Sequence, residues 1–130
     1  MLVLDASVVV PAVQFDNGFS IFRREELAAP PFMWAEVRSA LHEAVWRGEL
    51  SARLGSVALE RLDDAPVKWR THRRLSRESW MIADEFGWAK TYDADYIALA
   101  RLLRCRLVTV DDRLRRGADR LGFVIGPSEL

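Results

Sequence analysis

Short apolar segments that alternate with helical patterns constrain the fold of this chain more than any other feature. The segment Met1–Leu4 ends at Asp5, and the segment Cys105–Val110 ends at Asp111. Apolar residues dominate both segments, as in strands that a parallel sheet buries on both faces. The predicted strands are Met1–Leu4, Leu27–Pro30, Ala65–Trp69, Cys105–Val110 and Gly122–Ile125.

Helical patterns separate these strands. Ser7 is the predicted N-cap of the first helix, and Pro11 then falls within its first turn, where proline is tolerated. The predicted helices cover 8–13, 19–26, 32–47, 51–62, 75–86 and 92–104, and another follows Asp111. We therefore expect an α/β fold, with residues 1–130 as a single domain. Its parallel sheet has about five short strands and helices on both faces.

The composition excludes several classes of protein. The single cysteine, Cys105, rules out a disulfide framework, and His42 and His72 have no partner at zinc-ligand spacing. The chain has no glycine-rich phosphate loop and no G-x-S-x-G turn. No apolar stretch approaches the ~20 residues of a bilayer span, and the N-terminus does not resemble a signal peptide. We expect a cytoplasmic protein without a membrane partner.

The formal charge is zero, because 19 Lys+Arg balance 19 Asp+Glu. Taken alone, this balance argues against a generic nucleic-acid binder, which usually carries a basic excess. However, only Lys68 and Lys90 are lysines, and the other basic residues are arginines. The planar guanidinium group of arginine suits phosphate.

Two carboxylates follow predicted strands directly. In an open parallel sheet, ligands bind beyond the carboxyl ends of the strands, near the point where the strand order reverses. If the first and fourth strands are neighbours, Asp5 and Asp111 lie side by side, and their mutual repulsion predicts a cation between them. The alternative is that each carboxylate only caps the helix that follows it.

Four further acidic residues are candidates for the same site. Glu36 flanks the apolar face of its helix, either as a surface charge near the helix N-terminus or directed into a cleft. Asp93 and Asp95 are roughly 200° apart on their helix, so only one can join a small site, and Asp93 is nearer the N-terminus. Asp111 and Asp112 also diverge. Carboxylates that converge without histidine or cysteine favour Mg²⁺, with Mn²⁺ as the alternative ion.

These candidate acids lie in four distinct short motifs. The motifs are LVLDAS at 2–7, WAEVRSAL at 34–41, TYDADYIALA at 91–100 and LVTVDDRL at 107–114. In order and in spacing, these segments resemble the acidic motifs of PIN-domain ribonucleases, and the third is the most specific of them. The size of the chain is similar to that of the VapC-type toxins of bacterial toxin–antitoxin pairs.

This resemblance implies a Mg²⁺-dependent endoribonuclease. Water would attack the phosphodiester and leave a 5′-phosphate and a 3′-hydroxyl. The resemblance also implies a small antitoxin protein as a partner, and a homodimer. It assigns the catalytic and metal-binding roles to Asp5, Glu36, Asp93 and Asp111, places the hydroxyl of Ser7 close by, and leaves Asp112 as a secondary candidate.

Basic residues near these acids are the predicted RNA contacts, each with a solvated surface charge as its alternative. They are Arg38, Lys90, Arg113, Arg115 and Arg116. Trp34 and Trp88 are candidates for stacking on a base, with core packing or a partner interface as the alternative. Once the four predicted metal ligands are set aside, 15 acids face 19 bases, an excess of +4. The neutral total is therefore compatible with an RNA substrate.

Two other functions fit the sequence. One is a catalytically inactive PIN-like domain that serves in RNA tethering or protein association. The other is a phosphatase or receiver-like domain, which also has an aspartate after its first strand. The second fits less well, because such phosphatases need another aspartate two residues later, where this chain has Ser7.

Overall fold

The computed structural model describes residues 1–130 and contains five strands and six α-helices. Their bounds are β1 (Leu2–Leu4), α1 (Ala6–Ala12), β2 (Leu27–Ala29), α2 (Phe32–Trp46), α3 (Ala52–Asp63), β3 (Val67–Trp69), α4 (Leu75–Phe86), α5 (Tyr92–Leu103), β4 (Arg106–Val108), α6 (Asp112–Ala118) and β5 (Val124–Ile125). Three short 3₁₀ turns cover Ser20–Phe22, Asp119–Leu121 and Pro127–Glu129.

All neighbouring strands are parallel, in the order β3-β2-β1-β4-β5. The predicted α/β fold with a five-stranded parallel sheet is confirmed, and β1 does lie beside β4. The chain runs from β1 outward to β3 and then returns to β4 and β5. Because crossovers between parallel strands are right-handed, this reversal places α1–α3 on one face and α4–α6 on the other.

The core is a cluster of 30 buried residues that extends over both faces of the sheet. All three residues of β1 are fully buried, as expected for a central strand covered by helices on both sides. The longest helix, α2, has 15 residues. None of the helices has the length and apolar character that crossing a bilayer requires.

The start of the first helix differs from the prediction. Helix α1 begins at Ala6, so that Asp5 and not Ser7 is at the N-cap position, with extended backbone angles. Ser7 lies in the first turn, and its hydroxyl group bonds to Asp5 and to the backbone N–H of Val110 instead of capping the helix. Pro11 consequently lies in the helix interior, and the helix ends one residue later, at Ala12.

The predicted helix 19–26 was also wrong. Only the single 3₁₀ turn Ser20–Phe22 forms there, and only Phe22 of this turn is buried. A helix this short depends on packing of an apolar face, because nucleation costs more free energy than its few hydrogen bonds return. The other predicted elements are present, and most of them are shorter by one to three residues at an end.

Candidate active site

Four helices begin at the carboxyl edge of the sheet, and each carries one of the four predicted acids near its N-terminus. Asp5 is the N-cap residue of α1, and Asp111 is the N-cap residue of α6. Glu36 is the fifth residue of α2, and Asp93 is the second residue of α5. Since β1 and β4 are the strands between which the order reverses, this edge is where a ligand is expected to bind.

Asp5 is held by two hydroxyl groups and is 4% exposed. Ser7 Oγ donates to Asp5 Oδ1 at 2.6 Å, and Thr109 Oγ1 donates to Asp5 Oδ2 at 2.8 Å. Each hydroxyl oxygen in turn accepts a hydrogen bond of 3.0 Å from the backbone, Ser7 from the N–H of Val110 and Thr109 from that of Asp111. The carboxylate does not cap α1, so the alternative of a simple helix cap does not apply to Asp5.

Burial raises the pKa of Asp5 from 3.8 to about 6. The hydrogen bonds from Ser7 and Thr109 stabilise the charged form and lower the pKa, but by less than desolvation raises it. The nearby charges of Asp111 and Glu36 raise it further. Asp5 is therefore a carboxylate held in one orientation among other negative charges. A cation beside it would stabilise its charged form.

Glu36 is half-buried, and Tyr96 of α5 holds it in place. The Tyr96 hydroxyl donates to Glu36 Oε1 at 2.6 Å, and Oε2 has no partner. Burial raises the pKa of Glu36, the bond from Tyr96 lowers it, and the charges of Asp93 and Asp111 raise it again. Tyr96 itself is 1% exposed, and its pKa is raised by burial and by the bond to Glu36.

The remaining acids differ in their partners. Asp93 accepts a hydrogen bond of 2.6 Å from Arg113 Nη2, which forms an ion pair. Asp111 caps α6, because its Oδ1 accepts from the backbone N–H groups of Arg113 and Leu114, while Oδ2 stays unpaired. Asp112 is exposed and makes no side-chain hydrogen bond. The helix-cap alternative thus applies to one oxygen of Asp111 only.

The structure separates Asp93 from Asp95. Ser79 of α4 donates to Asp95 Oδ1 at 2.5 Å and also contacts the carbonyl oxygen of Thr91. Burial raises the pKa of Asp95, as it does that of Glu36, but no other acid contributes. Asp95 therefore joins α4 to α5, while Asp93 lies with the other acids.

An open cleft of about 520 Å³ lies beside these acids. Of the five predicted RNA contacts, Lys90 and Arg113 line it, together with Glu36 and Asp93. Arg115 instead forms ion pairs with Asp119 and Glu129.

The two other predicted RNA contacts, Arg38 and Arg116, neither line this cleft nor form ion pairs. Arg38 borders a separate cavity between α2 and α3, and Arg116 is exposed without an ion-pair partner. Of the two tryptophans, Trp34 packs against the core. Trp88 lines the cleft but also packs against Phe86.

Sequence reasoning missed Thr109 and Tyr96, the two donors that fix Asp5 and Glu36. Thr109 is a polar residue in the apolar segment LVTV at 107–110, and this was the available signal, whereas Tyr96 follows acidic residues and stands out less. Buried hydroxyl groups need hydrogen-bond partners, and the carboxylates of the other acidic motifs can supply them. No isolated segment shows the pairing, since Thr109 and Asp5 are 104 positions apart.

The donor set fits a hard divalent cation. The four residues offer carboxylate oxygens only, which Mg²⁺ and Mn²⁺ prefer. No lysine or arginine is paired with Asp5, Glu36 or Asp111, although these three repel one another. Glu36 and Asp93 line the cleft, and the four carboxylates do not meet at one point: no three acidic, histidine or cysteine side chains are placed to hold one ion.

Thr109→Val is expected to destabilise the protein by about 1–3 kcal/mol at pH 7, because it leaves Asp5 Oδ2 and the N–H of Asp111 without a partner. The same change should raise the pKa of Asp5. Urea unfolding measures the loss of stability. Thr109→Ser keeps the hydroxyl and is the matched control. Equal stability of the valine variant and the parent would contradict this network.

Comparisons with known proteins agree with the motifs. The family model of the PIN domain matches residues 2–120. Ribonuclease VapC9 of Mycobacterium tuberculosis is 33% identical over 115 residues, 88% of each chain. Ribonuclease VapC1 of the same species is 34% identical over 118 residues, 86% of each chain.

A solved structure shows the same fold. The crystal structure of PAE2754 from Pyrobaculum aerophilum superposes with a TM-score of 0.77 at 21% identity, covering 98% of this chain and 84% of that one. The chain therefore belongs to the PIN domain family, and to its VapC type, as the four acidic motifs predict.

Proposed function

We propose that this protein is a Mg²⁺-dependent endoribonuclease. One observation carries the proposal: a buried carboxylate, Asp5, lies where the strand order reverses, and the charges of Glu36 and Asp111 act on it without a basic partner. The mycobacterial relatives are named ribonucleases, which supports RNA as the substrate.

Asp5 and Asp111 would be the central ligands of the metal, and Glu36 and Asp93 would complete the site or act through bound water. When bound there, a divalent cation lowers the pKa of a coordinated water and stabilises the charge on the leaving oxygen. Ser7 and Thr109 orient Asp5, and the raised pKa of Glu36, whose Oε2 is free, suits this oxygen to accept a proton from the attacking water.

Basic groups of the cleft would bind the RNA backbone. Lys90 and Arg113 line the same cleft as Glu36 and Asp93, so that they would bind a phosphate of the RNA next to the acids. Arg113 pairs with Asp93 in the free protein, so we propose that it exchanges this carboxylate for the phosphate when RNA and metal bind. Arg38, Arg115 and Arg116 stay weaker candidates for contacts with more distant nucleotides.

The purified protein is expected to cleave single-stranded RNA when Mg²⁺ is present and to stop when a chelator is added. Because water and not the ribose 2′-hydroxyl attacks, the products should carry a 5′-phosphate and a 3′-hydroxyl. End-specific ligation and mass spectrometry of the fragments measure this. Products with a 2′,3′-cyclic phosphate would contradict this mechanism.

We also propose that the protein is the toxin of a toxin–antitoxin pair, with a small antitoxin partner, because its relatives are VapC proteins. Growth should stop when it is expressed alone and continue when the neighbouring open reading frame is co-expressed. A homodimer rests on the family resemblance, and light scattering tests it. The cytoplasmic location and a single domain over residues 1–130 stay predictions.

An inactive PIN-like domain, used for RNA tethering or protein association, is the second candidate. Two observations favour this function. The ion pair with Arg113 occupies one acid, Asp93, and no three side chains are placed to hold one ion. RNA binding without cleavage at any Mg²⁺ concentration would identify this function.

A further inference from the structure

Two aromatic rings stack at the edge of the cleft. Phe32 and Tyr92 lie with ring centroids 4.3 Å apart and ring planes within 13° of parallel. They are the first residues of α2 and α5, which lie on opposite faces of the sheet. Phe32 precedes Glu36 by one helical turn, and Tyr92 directly precedes Asp93. The stacked pair therefore joins the two faces at the place where the acids are.

The exposure of Tyr92 is not explained by a role in the packing of the fold. One face of its ring lies against Phe32, yet the residue is 49% exposed and its hydroxyl makes no hydrogen bond. Tyr96, four residues later, is 1% exposed and bonded to Glu36, as expected of a tyrosine that serves the fold. Both rings of the stack line the cleft that also contains Lys90 and Arg113.

We propose that Tyr92 stacks on a nucleobase of single-stranded RNA next to the phosphodiester that is cleaved, with Phe32 supporting its ring from behind. This inference rests on the proposed ribonuclease function. Every base has a π-face, so an exposed aromatic ring beside cations that bind phosphate is the usual arrangement for single strands. A base inside a duplex is already stacked on its neighbours and offers no free face.

Other exposed aromatic residues do not compete for this role. Trp46, Trp69 and Trp80 are more exposed than Tyr92, but none of them lines the cleft. Trp88 lines the cleft, but its ring lies against Phe86 and within 3 Å of where a side chain on Gly117 would begin. Tyr92 is thus the ring that is both open and next to the acids.

The test measures the affinity of a fluorescein-labelled single-stranded RNA by anisotropy, with Asp5→Asn as the background so that the RNA stays intact. Tyr92→Leu keeps an apolar contact with Phe32 but removes the π-face, and it should raise Kd about tenfold. Tyr92→Phe should restore the affinity of the background. Trp80→Ala removes a remote exposed ring, and its Kd should not change.

A second measurement separates stacking from a general loss of structure. RNAs with one abasic nucleotide at successive positions should lose about tenfold in affinity at one position near the mapped cleavage site. In the Tyr92→Leu variant the same abasic position should cost nothing further.

An undiminished abasic penalty in Tyr92→Leu, or equal Kd values with and without the tyrosine, would overturn the inference. If the parent cleaves RNA in either case, the proposed function survives. If the parent neither cleaves nor binds RNA, both the proposed function and this inference are wrong.

Discussion

Asp5→Asn is expected to lower the rate of RNA cleavage by about a thousandfold or more. A metal ion contributes several kcal/mol of charge stabilisation in the transition state, and about 4 kcal/mol corresponds to a factor of a thousand. Asparagine keeps the size of the side chain and can still bond to Ser7 and Thr109, so the fold should persist. Single-turnover cleavage of a labelled RNA measures the loss, and circular dichroism checks the fold.

The same variant should be more stable than the parent without metal at neutral pH. The pKa of Asp5 is about 6 in the folded protein and 3.8 for an ordinary aspartate. At a pH between these two pKa values, the unfolded chain binds fewer protons than the folded one. The stability of the parent therefore falls as the pH rises and stays low above pH 6. This pKa difference corresponds to roughly 3 kcal/mol. Urea unfolding with a chelator should show the two proteins converging below about pH 4.

Asp95→Asn is the matched control for the cleavage measurement. Like Asp5, Asp95 is a carboxylate with a raised pKa. It is half-buried on α5, its partner is Ser79, and it lies apart from the other acids. Its replacement should leave the cleavage rate close to that of the parent. Cleavage by Asp5→Asn at the parental rate would show that this carboxylate is not part of the reaction.

Asp5 and Asp111 could be predicted from the sequence because they follow strands. Glu36 and Asp93 could be predicted because they lie in the first two turns of helices, and Glu36 flanks the apolar face of α2. A short apolar strand places the residues that follow it at the sheet edge. Asp5 comes directly after β1 and Asp111 three residues after the end of β4, so both could be predicted there once the two strands were taken as neighbours. Periodicity could not predict which of Asp93 and Asp95 joins the site, because apolar residues lie on nearly every side of α5. It depends on Ser79, a residue of another helix.

Local patterns failed where long-range contacts decide the structure. Ser7 looks like an N-cap, but its hydroxyl is used by Asp5 and by the backbone of Val110, which is 103 positions away. Arg115 looks like a phosphate contact beside Asp111, but the C-terminal turn provides Glu129 as its partner. In both cases the residue type was informative, while the partner that fixes its role comes from a distant part of the chain.

Mg²⁺ is expected to raise the melting temperature of the parent by about 10 °C at pH 8, when its concentration is about a hundred times Kd. Binding to the folded state alone produces this shift, because the acids converge only in the fold. The effect should shrink at pH 5. There Asp5, with a pKa of about 6, is mostly protonated, and the metal must displace the proton. Differential scanning fluorimetry across pH 5–8 measures both effects.

The acid variants decide whether this stabilisation comes from the proposed site. In Asp5→Asn the shift with Mg²⁺ should largely disappear at pH 8, while Asp95→Asn should keep it. A general effect of ionic strength would stabilise all three proteins alike, and KCl at matched ionic strength measures that contribution. Equal shifts at pH 5 and pH 8, or an undiminished shift in Asp5→Asn, would place the metal elsewhere. The assignment of Asp5 as a ligand would then be wrong, even if the protein cleaves RNA.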